Sequence, residues 1–95
     1  MRDYEAMFIF KPDVSEEKLE KEIKSVEKVI KTRGEGTVQF ENMGKKTFAY
    51  PIKRFNEGTY VNYQFAAQPL AIAKIKEALR HKDNILRFMI FLREK

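Results

Sequence analysis

The sequence predicts an α+β fold: a four-stranded antiparallel sheet with two helices on one of its faces. Three observations support this fold class. Two segments carry apolar residues at helical spacing, others have the alternation or composition of strands, and glycine, proline, aspartate or asparagine separates them. The 95 residues are expected to form one domain, 1–95, because most domains contain roughly 100–150 residues.

The first predicted elements are a strand and a long helix. Residues 4–10 are apolar on both faces, which predicts a central place in the sheet, and Lys11-Pro12-Asp13 ends the strand. Ser15 is a favourable N-cap for a helix that runs to about Arg33. Gly34 is expected to end this helix in the left-handed conformation. The apolar stripe of the helix is Leu19, Ile23, Val26 and Ile30.

The middle of the chain predicts two strands joined by a turn. One strand starts at 37–40 and continues irregularly from Gly44 to Ile52. Asn56-Glu57-Gly58 is the predicted turn, and Thr59–Ala67 is the next strand. Its core-facing residues are predicted to be Val61, Tyr63 and Phe65.

The last third predicts a second helix opened by Pro69, a turn at Asp83-Asn84, and a final strand over Ile85–Leu92. The order β-α-β-β-α-β, with right-handed crossovers, is the ferredoxin-like arrangement. The final strand is expected to face the core through Leu86, Phe88, Ile90 and Leu92.

Such a sheet has one face that no helix covers, which we call the open face. Several large apolar residues are expected on it, and exposed apolar patches of this kind indicate a docking surface. The alternatives are self-association, or apolar residues that are simply tolerated on the surface. The predicted contacts with a protein partner are Met7, Ile9, Tyr60, Met89 and Phe91.

The charge distribution favours a polyanionic partner. The net charge of +5 is the sum of −2 on residues 1–43, +3 on residues 44–58 and +4 on residues 59–95. Nucleic acid is therefore a candidate ligand. The absence of cysteine excludes disulfides and thiolate metal sites and fits a cytoplasmic location. No apolar run approaches the roughly 20 residues of a bilayer span, so we expect no membrane partner.

No motif in the sequence predicts catalysis. The lone His81 follows the second helix between Arg80 and Lys82 and is interpreted as a solvated side chain. No cluster has the spacing of metal ligands, and Gly34-Glu35-Gly36 lacks the lysine of a phosphate loop. We therefore expect no enzyme activity, no cofactor, no metal and no small-molecule substrate.

The stretch Gly44–Arg54, GKKTFAYPIKR, combines strand-forming residues with a proline and four cations. Because proline cannot donate to a β-ladder, the stretch is expected at a sheet edge. Tyr50 could stack on a base or a partner ring, or pack inward. The cations could neutralise phosphates or simply prevent edge-to-edge aggregation: Lys45, Lys46, Lys53 and Arg54.

The predicted fold is also that of RNA-recognition motifs. Residues 58–65, GTYVNYQF, faintly resemble the K/R-G-F/Y-G/A-F-V-x-F/Y signature of that class, with Tyr60 as the outward ring. A stand-alone single-stranded RNA-binding module is therefore the second hypothesis.

Three stretches together resemble the bacterial small-subunit ribosomal protein S-six family. They are MRDYEAMFIFKPD at 1–13, GKKTFAYPIKR at 44–54 (the AYPI block) with Gly58-Thr-Tyr after it, and KDNILRFMI at 82–90. The resemblance covers almost the whole chain, and AYPI after a glycine and a basic pair is its most specific part.

The resemblance implies a non-catalytic ferredoxin-like protein of the small ribosomal subunit, located in the cytoplasm. It implies binding to the central domain of the small-subunit ribosomal RNA, together with a neighbouring basic ribosomal protein, number eighteen. It also implies RNA contacts at Arg2, Lys45, Lys46 and Arg87. Charge and aromatic character add three further candidates for RNA contact: Tyr50, Lys53 and Arg54.

Overall fold

The computed structural model describes residues 2–34 and 36–93. Its elements, in chain order, are β1 (Arg2–Phe10), α1 (Glu16–Gly34), β2 (Val38–Ile52), β3 (Phe55–Ala67), α2 (Ala71–Leu79) and β4 (Ile85–Leu92). The strands form one antiparallel sheet in the order β2-β3-β1-β4, so the ferredoxin-like prediction is confirmed and β1 is central, as its two apolar faces predict. No helix in the described ranges is long and apolar enough to cross a bilayer.

The core lies between the two helices and one face of the sheet. Phe8 is at its centre, with its ring centroid 5.1 Å from those of Tyr63 and Phe88 and 6.2 Å from that of Phe10. These aromatic side chains come from three neighbouring strands. Their packing therefore stabilises the association of the strands with one another as well as the packing of the helices on the sheet. The helices contribute buried aliphatic side chains at the predicted spacing: Ile23, Val26, Ile30, Ile75 and Leu79.

Tyr63 is a fully buried core residue with a polar end. Its hydroxyl donates a hydrogen bond to the backbone carbonyl of Ile23 at 2.8 Å, which ties β3 to α1. Burial raises the pKa of Tyr63 well above its usual range, and the carboxylates of Glu27 and Glu22 act in the same direction. The hydroxyl therefore stays protonated and remains a donor.

This raised pKa predicts a loss of stability at alkaline pH. The unfolded chain releases the Tyr63 proton first, at a pH near the usual value of about 10. Its contribution to the free energy of unfolding should be constant below that pH and then fall by about 1.4 kcal/mol per pH unit. Tyr63→Phe should cost about 1 kcal/mol at neutral pH and remove this part of the decline. Urea unfolding between neutral and alkaline pH measures both effects, with Tyr50→Phe as the exposed control; equal alkaline slopes in all three proteins would contradict the prediction.

The turn between β2 and β3 is not where the sequence predicted it. Lys53 and Arg54 form it, with φ of 50° and 74°, between the paired residues Ile52 and Phe55. Positive φ at both central residues is the signature of a type I′ hairpin turn, which normally uses Asn-Gly. The prediction at 56–58 was wrong because the Lys-Arg pair carries no such signal, and these three residues belong to β3.

Three smaller predictions are also corrected. Gly34 lies within α1 and does not have a left-handed backbone; a Cβ there would lie 3.1 Å from the Cβ of Ala67, so close packing calls for glycine. The second helix begins at Ala71, two residues after Pro69. Leu92 is 39% exposed rather than buried, because it is the last residue of an edge strand.

Candidate nucleic-acid interface

The ladder between β2 and β3 is interrupted within the FAYP sequence. Pairing stops after Thr47 and resumes at Ile52, so Phe48–Pro51 lie outside it. Pro51, which has no N–H to donate, is thereby accommodated in the edge strand, as the sequence predicted. We call residues 48–51 the arch.

Phe48 packs the arch onto the open face of the sheet. It meets Tyr60 edge to face, with ring centroids 6.1 Å apart. At Gly58, a Cβ would lie 2.8 Å from both Phe48 Cζ and Ile9 Cγ2. Phe48 and Ile9 can therefore approach each other only because Gly58 has no side chain between them. Ile9 is only 8% exposed. This predicted partner contact therefore lies beneath the arch and offers little surface to another molecule.

Tyr50 points away from the sheet. Its side chain is 82% exposed, which decides between the two orientations that the sequence left open. Tyr50, Tyr60 and Arg87 line one shallow groove of about 310 Å³ on the open face, next to Pro51. The structure thus brings two predicted RNA contacts together. It adds Tyr60, which had been grouped with the protein-partner contacts.

Lys45 and Lys46 point to opposite faces of β2. Lys45 pairs with Thr59 and Lys46 with Gly58, and successive strand residues alternate between faces. The Lys45 ammonium lies 3.9 Å from the Glu57 carboxylate. Both groups are about half exposed, so this ion pair contributes little to stability. Only Lys46 shares the open face with the groove.

The other predicted cations lie at the two ends of the sheet. Lys53 and Arg54 form the exposed hairpin turn. Arg2 is exposed at the far end of β1, opposite Ala67. It is about 23 Å along the strand from Ile9 at roughly 3.3 Å per residue. The seven predicted RNA contacts therefore do not form one continuous patch.

A second group of cations was missed by sequence reasoning. Lys53 lines a cleft of about 540 Å³ together with basic side chains from two other segments of the chain: Lys11, Arg80, His81 and Lys82. We call these five residues the basic cleft. The run from Arg80 to Lys82 was the available signal, but its proximity to the hairpin turn depends on the tertiary fold.

The remaining partner contacts form an apolar strip on the open face, which we define as Met7, Met89 and Phe91. Met7 and Met89 are directly paired between β1 and β4. Met89 and Phe91 are 57% and 44% exposed. Glu5 lies opposite Phe91 and accepts a hydrogen bond from the Asn62 side chain at 3.0 Å. The strip is therefore apolar with a carboxylate held beside it.

The two edges of the sheet differ in how they resist pairing with another strand. β2 carries a register shift between Asn42 and Gly44, two lysines and Pro51, all features that hinder edge-to-edge pairing. β4 has no proline, and Arg87 is its only charged residue. Its outer edge lies beside the apolar strip and is the more accessible edge for a partner strand.

The groove, the basic cleft and the apolar strip are all open surface features of the protein. In residues 2–34 and 36–93, no group of three or more His, Cys, Asp or Glu side chains could hold a metal ion. A sequence model of the family described as Ribosomal protein S6 matches residues 3–92. The chain belongs to the ribosomal protein S6 family.

Several S6 proteins are similar over nearly the full chain. The small ribosomal subunit protein bS6 of Thermosynechococcus vestitus is 40% identical over 94 residues, covering 99% of this chain and 82% of the relative. The bS6 protein of Desulforamulus reducens is 38% identical and covers 95% of both chains. The crystal structure of 30S ribosomal protein S6 from Thermotoga maritima superposes with a TM-score of 0.92 at 38% identity, covering 97% of this chain and 87% of that one.

S6 family membership confirms the resemblance drawn from the sequence. The S6 proteins that this chain is similar to are proteins of the small ribosomal subunit. Ribosomal proteins of this kind are structural components rather than enzymes, which agrees with the expectation of no catalytic activity.

Proposed function

We propose that this S6 protein is a structural component of the small ribosomal subunit, in the cytoplasm, that binds the central domain of the small-subunit ribosomal RNA. We further propose that it does so together with the neighbouring basic ribosomal protein, number eighteen. The observation that carries the RNA assignment is the groove on the open face. There an exposed tyrosine, Tyr50, lies beside an exposed arginine, Arg87.

The groove offers the two kinds of contact that RNA recognition uses. The Tyr50 ring is available for stacking on an unpaired base, which is worth about 1–3 kcal/mol per base. The Arg87 guanidinium is a planar fork suited to a phosphate or a base edge. Lys46 adds a cation on the same face. The arch holds Tyr50 outside the ladder, so the ring is presented without disturbing the sheet.

The apolar strip is the proposed contact for the protein partner. Met89 is exposed and its neighbour Met7 is half-buried on the open face, and methionine adapts well to varied partner surfaces. The Glu5 carboxylate beside Phe91 complements a basic partner. The adjacent outer edge of β4 also offers main-chain groups to an extended segment of that partner.

A stand-alone single-stranded RNA-binding module is less compatible with the open face. RNA-recognition motifs stack bases on the sheet itself. Here Phe48 packs over Ile9 and against Tyr60, where a base would have to lie. Stacking is therefore assigned to Tyr50 on the arch and not to the surface of the sheet.

Two substitutions separate stacking from phosphate neutralisation. Tyr50→Ala should weaken binding to a transcript of the central domain by about tenfold, with almost no change in salt dependence, because a stacked base releases no counterions. Arg87→Gln should weaken binding and also reduce the log–log salt slope by about 0.7–0.9, the value of one phosphate contact. Filter binding over a range of salt concentrations measures both quantities, in the presence of the partner protein.

Lys24→Gln is the charge-matched control for Arg87→Gln, since Lys24 is an exposed residue of α1 whose ammonium lies 4.0 Å from the Glu20 carboxylate. It should leave the slope unchanged. Equal slope changes for Lys24 and Arg87, or unaltered affinity of Tyr50→Ala, would be evidence against the groove as the RNA site.

A further inference from the structure

The basic cleft lies where three segments of the chain meet. Lys11 follows β1, Lys53 is in the hairpin turn, and Arg80–Lys82 connect α2 to β4. Among residues 2–34 and 36–93, Asp83 is the single acidic side chain that lines the cleft, against four lysine or arginine side chains and His81. The cleft therefore has a clear excess of positive charge.

Two of these cations already have partners within the protein. The Lys82 ammonium donates to Ser25 Oγ at 2.9 Å, and the Arg80 guanidinium pairs with Glu77 at 3.0 Å. Lys11 and Lys53 have no ion-pair partner in residues 2–34 and 36–93. These two lysines are the cations that the fold leaves available to a ligand.

The walls of the cleft are fixed by hydrogen bonds. The backbone N–H of Lys11 donates to the Asn84 carbonyl at 2.9 Å, which joins the end of β1 to the loop before β4. The Asn84 side chain donates to Glu22 at 3.1 Å, and Lys82 reaches Ser25, so the same loop is tied twice to α1. A ligand would meet a preformed site and would not need to order the loop, which favours binding.

The hairpin turn supplies an independent indication. Lys53 and Arg54 have φ of 50° and 74°, a conformation that is unfavourable for residues other than glycine and asparagine. Strained residues of this kind concentrate at functional sites. Asn-Gly would form the same turn with less strain but would remove both charges. The turn thus keeps its cations although its backbone is strained, and one of them lines the cleft.

The chemistry of the cleft selects phosphate. Lysine ammonium groups are point charges that neutralise phosphate oxygens without reading base identity. We infer that the basic cleft binds the phosphodiester backbone of folded RNA, as a second contact separate from the Tyr50 groove. The inference rests on the proposed function, because it takes the ribosomal RNA as the source of the phosphates. Tyr50 and Lys53 belong to the same hairpin, so one RNA could engage both sites.

The test compares two double substitutions of equal charge. Lys11→Gln/Lys53→Gln removes the two available cations of the cleft. Lys21→Gln/Lys28→Gln removes two exposed lysines from α1. With a central-domain transcript as the probe, the cleft variant should bind about tenfold or more weakly at 0.1 M salt. Its log–log salt slope should be smaller by about 1.4–1.8, the value of two contacts. The α1 variant should bind like the wild type, and circular dichroism should be native for all three proteins.

The outcomes separate the inference from the proposed function. If the wild type, with its partner, does not bind the transcript, both fail. If the wild type binds and the cleft variant keeps its affinity and slope, only the cleft inference is overturned. Inorganic phosphate serves as a second probe. The cleft would be assigned to free phosphate if its amide resonances shift at millimolar phosphate while the salt slope for RNA is unchanged in the cleft variant. That result would also overturn the inference.

Discussion

Gly58→Ala is expected to destabilise the protein by about 2–3 kcal/mol, the upper part of the range for inserting an atom into a packed site. A Cβ at this position would lie 2.8 Å from three heavy atoms: Ile9 Cγ2, the Phe10 carbonyl oxygen and Phe48 Cζ. The Phe10 oxygen belongs to the backbone of the central strand, so it cannot move away without shifting β1. The Phe48 ring can move, and its displacement would lift the arch from the open face.

The sign of this effect is informative. Replacing glycine by alanine in a strand without a clash should stabilise a protein by about 0.4–1 kcal/mol, because alanine restricts the unfolded chain. A loss of stability therefore requires the close packing described above. Chemical denaturation measures it, and the NMR ring resonances of Phe48 and Tyr60, which pack edge to face, report on the displaced Phe48 ring. Gly58→Ala should also weaken binding of the central-domain transcript, since Tyr50 would lose its fixed position.

Gly44→Ala is the matched control for this prediction. Gly44 has φ of +86°, and no heavy atom lies within 4 Å of the position that a Cβ would occupy, so alanine there meets conformational strain alone. We expect a loss of about 1–2 kcal/mol from that strain, with the arch and RNA binding intact. Wild-type stability in Gly58→Ala would contradict the role of Gly58 in seating the arch.

Met89→Asp is expected to reduce affinity for ribosomal protein number eighteen by at least about 30-fold, equivalent to about 2 kcal/mol. Met89 is the most exposed member of the apolar strip and pairs with Met7 in the middle of it. The part of the partner that covers Met89 is expected to be apolar, and burying a carboxylate there without a compensating cation is costly. Folding should be unaffected because the side chain is solvated in the free protein. Isothermal titration with the purified partner measures the change.

Leu70→Asp provides a control with the same chemistry at another place. Leu70 is an apolar side chain with 88% exposure, at the start of α2 and away from the open face. The substitution should leave partner affinity unchanged. A similar loss in both variants would indicate a general effect of charge, and unaltered binding of Met89→Asp would place the partner elsewhere on the protein.

The order of elements and the fold were accessible from the sequence because both depend on short-range patterns. The apolar spacing of α1, the alternation in β3 and the two-sided apolar character of β1 each act over one element. Both faces of β1 carry apolar residues that must be buried, and this predicts a central strand with a neighbouring strand on each side. The edge position of Pro51 follows from its missing N–H. The same local logic failed at Lys53 and Arg54, where a type I′ turn forms without the residues that usually signal it.

The composition of the candidate sites was only partly accessible. Tyr50 and Arg87 were both selected, but their common groove depends on the arch folding back over the open face. Ile9 alternates onto the open face as expected, yet it is only 8% exposed, and Phe48 from a distant part of the chain approaches the same point above Gly58. Lys45 and Lys46 are adjacent in sequence and were treated as a pair. The register of β2 with β3 assigns them to opposite faces.

The sequence by itself determined the ferredoxin-like architecture and the edge position of the AYPI block, because helix and strand periodicity and the chemistry of proline act locally. The family was indicated by the resemblance of three stretches to S6 proteins. The tertiary structure alone decided which cations share a surface. The basic cleft joins Lys11, Lys53 and the Arg80–Lys82 run, which are separated by tens of residues and meet only when the hairpin turn, the end of β1 and the loop before β4 close on one another. Which cations meet depends on the register between strands and on how the loops pack, and neither can be predicted from any single stretch of the chain.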